Sequence, residues 1–74
     1  MEYRVKNNNV FQGVFAQSEN ENTYQFIERA GNYAKNRFDA ITWTYHIDNE
    51  SGTIEIMYLR KGDKKYNYLT FDKI

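Results

Sequence analysis

A chain of 74 residues is too short for two domains, and one hydrophobic core of that size supplies only about 3–5 kcal/mol of stability. Ten basic side chains cancel ten acidic ones, which excludes the strong positive field of a dedicated duplex-DNA binder and the negative field of an acidic DNA mimic. Cysteine is absent and His46 is the one histidine, so the chain can build neither a disulfide framework nor a thiolate or multi-histidine metal cluster.

Residues 2–15 read as a β-hairpin turning at Asn7-Asn8-Asn9, because asparagine enters left-handed dihedrals more easily than other non-glycine residues. A three-residue loop pairs Val5 with Phe11 and turns Tyr3, Val5, Phe11 and Phe15 inward. Moving the loop by one residue gives a similar pattern with Val10 and Val14 inward, so register is weakly specified here. Gly13, in mid-strand, marks a bulge or a close backbone approach.

Ser18-Glu19-Asn20-Glu21 fits a capping box, with an alternative helix start at Asn22. From there to about Arg37, Ile27, Ala30, Gly31, Ala34 and Phe38 recur at helical spacing, flanked by Tyr24 and Phe26. The small inward residues predict close approach of a sheet carrying Trp43 and Tyr45, with Trp43 buried near Gly31 and Ala34. A glycine inside a helix costs about 1 kcal/mol relative to alanine, which that packing offsets.

Residues 40–47 alternate apolar and polar side chains with the period of a half-buried strand. Asn49-Glu50-Ser51-Gly52 supplies a turn into a second strand over 53–60, and Gly62-Asp63 supplies a two-residue turn into a third over 65–71. With those loop lengths Ile47 faces Ile54, Tyr45 faces Ile56, Trp43 faces Tyr58, Ile56 faces Leu69 and Ile54 faces Phe71. Ile41, Trp43, Tyr45, Ile47, Ile54, Ile56, Tyr58, Leu69 and Phe71 then share one side. The fold class is α+β: a single domain over 1–74, order β-β-α-β-β-β, with one amphipathic helix on one face of an antiparallel sheet and a C-terminal three-strand meander.

Chemistry is sparse. His46 opposite Glu55 could form a base held by a carboxylate, but an exposed cross-strand polar pair is the simpler reading. No nucleophile can be placed beside it and no glycine-rich phosphate loop occurs, so neither catalysis nor a cofactor is expected. The second face of the sheet is more informative. Met57 and Leu59 lie there beside Tyr66 and Tyr68, and the helix cannot cover both sides unless the N-terminal hairpin folds over the other. Met and Tyr are enriched in protein interfaces.

The expected function is therefore a non-enzymatic protein-binding module, a small regulator or inhibitor that docks a protein partner or a second copy of itself as a homodimer. The alternative is a single-stranded nucleic-acid binder that uses Arg60, Lys61, Lys64 and Lys65 beside the tyrosines for phosphate contact and stacking. Lysines around a turn also serve simply to discourage edge pairing. No apolar run approaches the roughly 20 residues of a membrane span and the first residues lack a signal-peptide core, so a soluble, cytoplasmic protein is expected. Abundant Asn, Lys, Ile, Tyr and Phe share AT-rich codons, which points to an AT-rich genome or its phages.

Overall fold

The computed structural model describes residues 1–74 as β1 (Glu2–Asn7), β2 (Val10–Ala16), α1 (Thr23–Phe38), β3 (Ala40–Ile47), β4 (Ile54–Arg60) and β5 (Asn67–Lys73). The strands form one antiparallel sheet in the order β2-β1-β5-β4-β3, with α1 across one face. This is the α+β arrangement that the hydrophobic periodicity predicts. The N-terminal hairpin does not fold over the sheet. It extends it, because β1 pairs alongside β5 with Val5 opposite Phe71.

The hairpin turn is tighter than three residues. Asn8 and Asn9 both take positive φ, at 49° and 69°, and Asn7 pairs with Val10, so the loop has two residues with the twist that suits flanking strands. Tyr3 faces Phe15, but past Val5 and Gly13 the register shifts and Lys6 faces Phe11. Gln12 is the extra residue, and Gly13, at φ 147°, adopts the backbone angle that lets the strand bulge there. One extra residue inverts the alternation. Phe11, expected inward, is consequently 58% exposed on the side of Lys6, while Tyr3 and Val5 are core.

Helix α1 starts at the second of the two candidate positions. Asn22 accepts from the Gln25 amide at 2.8 Å and its own amide donates to the Gln25 side chain at 2.9 Å, closing the capping box there rather than at Ser18. The Ser18 amide still reaches Glu21 Oε1 at 3.4 Å, within the connection from β2. Arg29 fastens that connection to the helix, donating to both Glu21 oxygens at 2.9 Å and to the Ala16 carbonyl at 2.6 Å. The helix ends on Asp39, which adopts the left-handed conformation and donates its amide to the Ala34 carbonyl.

The core lies between α1 and the inner face of the sheet. Phe26, Ile27, Ala30, Gly31 and Ala34 of the helix are buried against Tyr3, Val5, Ile54, Ile56, Tyr58, Leu69 and Phe71. Phe26 stacks on Tyr3 and meets Phe71 edge-on, and Phe38 stacks on Tyr58. Tyr58 reaches its polar partner from within the core, donating to Asn7 Oδ1 at 2.6 Å.

Between β3 and β4 the register is the expected one, with Ile47 opposite Ile54, Tyr45 opposite Ile56 and Trp43 opposite Tyr58. The exception is Ile41. Ala40 pairs with Arg60 and Thr42 with Leu59, so Ile41 is an unpaired bulge residue and is 66% exposed, while Ala40 takes the inner place. Because β3 is an edge strand, Tyr45 stays 41% exposed and Trp43 is only half-buried, short of the full burial expected for it. Trp43 does lie against Gly31: a methyl group at position 31 would fall on the indole carbons.

The β4–β5 register also matches, with Ile54 opposite Phe71 and Ile56 opposite Leu69, although the connection is longer than two residues. Pairing stops at Tyr58 and Asn67. The chain reverses instead through Arg60–Asp63, where the Asp63 amide donates to the Arg60 carbonyl at 3.0 Å and Gly62 sits at φ 86°. The strand accordingly begins at Asn67, and Lys64, Lys65 and Tyr66 belong to the connection.

Candidate functional site

Strand pairing assigns the outer face residue by residue, since directly opposed side chains share a side. One row runs across all five strands as Phe11, Lys6, Thr70, Glu55 and His46. A second runs Tyr68, Met57, Thr44, and beside it Leu59 faces Thr42. Val14, Arg4 and Asp72 form a third at the other end. No helix or loop covers these rows, because α1 occupies the inner face and the hairpin has gone to the sheet edge.

Of the residues singled out from the sequence, Met57 and Tyr68 are thus direct cross-strand neighbours, half-buried and 43% exposed respectively. Leu59 is half-buried one pair further along the same face. Tyr66 stands apart: it precedes β5, outside the paired ladder, and is 47% exposed. The bulge at Gly13 adds Phe11 to this face, and Val14, 51% exposed, joins from the same strand. The three-residue loop puts Phe11 inside, and the loop moved by one residue puts Val10 and Val14 there instead; both valines are exposed as well. Gly13 was the signal that could have placed Phe11, since a bulge in mid-strand reverses every side chain beyond it.

Between these groups lies a shallow, open depression of about 360 Å³ lined by Asn8, Asn9, Glu55, Tyr68 and Thr70. Its rim is rigid. The Asn8 amide donates to the Tyr68 carbonyl at 2.8 Å, Asn8 Oδ1 accepts from the Tyr68 amide at 2.9 Å, and Asn8 Nδ2 donates to Asn67 Oδ1 at 3.1 Å. The asparagine turn therefore docks on β5 and fixes the backbone that carries Tyr68.

His46 and Glu55 are cross-strand partners on this face, yet no hydrogen bond joins them and His46 is exposed. No group of three His, Asp or Glu side chains gathers where a metal ion could be held. At the basic tip, Arg60 is engaged: its Nε lies 3.3 Å from Asp63 Oδ2, which also accepts from the Arg60 amide and from Asn67 Nδ2, both at 2.9 Å. The Arg60 amide is the main cause that holds the Asp63 carboxyl below the usual carboxylate range. Lys61, Lys64 and Lys65 are exposed and make no salt bridge. Of the four basic residues grouped from the sequence, three point to solvent and the fourth locks the turn.

No helix is long and apolar enough to cross a membrane. Comparison with known proteins finds no matching family model, curated relative or solved structure.

Proposed function

We propose that the chain is a non-enzymatic protein-binding module, a small regulator or inhibitor that docks on a larger protein through the outer face of its sheet. The observation that supports this reading is the open face itself: β2 carries Phe11 and Val14, β4 carries Met57 and Leu59, and β5 carries Tyr68, all on a side that no element of the chain covers. Exposed clusters of large apolar and tyrosine side chains rimmed by polar groups mark association surfaces more often than chance. Lys6 and Glu55 in the middle row, with Arg4 and Asp72 at one end, mix both signs of charge on the face, which suits a protein partner better than the single-sign groove of a nucleic-acid binder.

The test is a double substitution, Leu59→Ala with Tyr68→Ala. Interface hot spots cost about 2 kcal/mol or more each when truncated, so affinity for the partner captured by the unmodified chain should fall by well over tenfold while the thermal unfolding midpoint stays near its original value. Unfolding of the double variant would show these side chains to be core and reject the reading. Unchanged affinity would also reject it. Tight binding of a single-stranded oligonucleotide that falls steeply with salt and is lost on replacing Lys61, Lys64 and Lys65 would favour the basic tip instead.

A further inference from the structure

The sheet distributes its charges in an unusual way. The three inner strands carry them: Glu2, Arg4 and Lys6 on β1, Glu55 and Arg60 on β4, Asp72 and Lys73 on β5. The two edge strands, Val10–Ala16 and Ala40–Ile47, contain no Asp, Glu, Lys or Arg. Edges normally carry charges, prolines, bulges or a covering segment, because their unpaired N–H and C=O groups are a template for another strand. β2 has one such guard, the bulge at Gln12 and Gly13 in its middle. The bulge in β3 falls at Ile41, its second residue, and leaves the regular ladder of Thr42–Ile47 with neither bulge, charge, proline nor cover.

From this we infer that β3 is a self-pairing edge: two copies of the chain join through antiparallel β3 strands about a two-fold axis at Thr44, giving one ten-stranded sheet. A bare edge asks for a strand, and this strand complements itself. The two-fold sets Trp43 opposite Tyr45 of the partner subunit and Thr42 opposite His46 of the partner subunit, pairs of the aromatic and β-branched kind that stabilise ladders. No like charges meet. Tyr24, 66% exposed, packs edge-on against Tyr45 at 6.4 Å and widens the apolar flank of the contact. Both helices lie on the same side of the joined sheet, so the two outer faces also become continuous, the row Tyr68, Met57, Thr44 running on into its symmetry copy. The edge is separate from Leu59 and Tyr68, so the dimer and the docking face can fail independently.

The absence of cysteine makes the test clean. Opposed residues in antiparallel strands sit about 4.5–5.5 Å apart between Cα atoms, within disulfide reach. Under mild oxidation Thr44→Cys should form a covalent dimer, and Val10→Cys on the other edge should not. In the unmodified chain, the native particle should be a dimer at high concentration, and dilution into the monomeric range should speed exchange of the Trp43 and Tyr45 amides, which alternate away from β4 toward the free edge, by at least about tenfold without changing β2. A one-chain particle at every concentration, exchange in β3 that ignores concentration, or cross-linking through Val10→Cys in place of Thr44→Cys would each overturn the inference.

Discussion

Gly31 is the residue on which the approach of helix and sheet turns. Intrinsic propensity favours alanine there by about 1 kcal/mol, but the added methyl would collide with the Trp43 indole, and overpacking of that kind costs about 1–3 kcal/mol. Gly31→Ala should therefore lower stability in urea unfolding, whereas in a Trp43→Ala background the same change should raise it. Equal signs in both backgrounds would show that the indole is not what excludes a side chain. Tyr58 makes a second residue-level test. Burial is the main cause that pushes its phenol above the ordinary value, as it does for Tyr3. Above about pH 10 the unfolded chain sheds protons that the folded one keeps, so this contribution to stability is complete below that pH and is lost as pH rises through the folded value. Tyr58→Phe should cost about 0.5–1.5 kcal/mol near neutrality through the lost bond to Asn7. It should also flatten the alkaline decline seen in denaturant midpoints, and an unaltered slope would count against the assignment.

At the scale of elements, the helix and its two ends illustrate how local chemistry is shared out. Asn22 and Gln25 satisfy the first amides, and Lys35 and Arg37 sit favourably near the negative end of the helix dipole. Asp39 is the weak point. It holds a left-handed conformation at φ 58° with a carboxylate at that same negative end. A side chain in that conformation costs about 1–2 kcal/mol and glycine avoids it, so Asp39→Gly should stabilise the protein by about 1 kcal/mol, a rise of roughly 4–8 °C in melting temperature for a domain this small. A lower melting temperature would mean that the aspartate makes a compensating contact elsewhere.

For the molecule as a whole, the consequential fact is that β1 is an inner strand. Tyr3 and Val5 are buried in the same core as the C-terminal meander, and β1 hydrogen-bonds β5 on one side and β2 on the other. The meander cannot stand alone with one flank of its core removed, so a chain lacking residues 1–16 should lose cooperative unfolding and amide dispersion altogether. A truncated chain that kept a native-like spectrum would return the hairpin to the status of an accessory. The same placement leaves the outer face open, since a hairpin used to extend the sheet is not available to cover it.

What the sequence determined by itself was local. Alternation over 40–47 and 54–60, with Gly52 and Gly62 supplying positive φ, set the pairing of β3, β4 and β5, and even a wider turn after Arg60 kept that register because slipping by one residue would have turned Ile54, Ile56, Leu69 and Phe71 to solvent. Small residues at 30, 31 and 34 announced the face of the helix and its nearness to Trp43. Tertiary structure decided the rest. Phe11 and Ile41 depart from simple alternation for one reason, a bulge at or beside each: mid-strand Gly13 marks the first inside its own hairpin, whereas the second, at Ile41, depends on the pairing of Ala40 with Arg60 and leaves no local mark. The docking of the asparagine turn on β5 and the location of β3 at a bare edge likewise arise from contacts between residues some sixty positions apart in one case and from a missing neighbour in the other. The candidate site is built largely from these non-local choices. Alternation within a strand tells which residues share a face, but only the assembled sheet says which face is left uncovered.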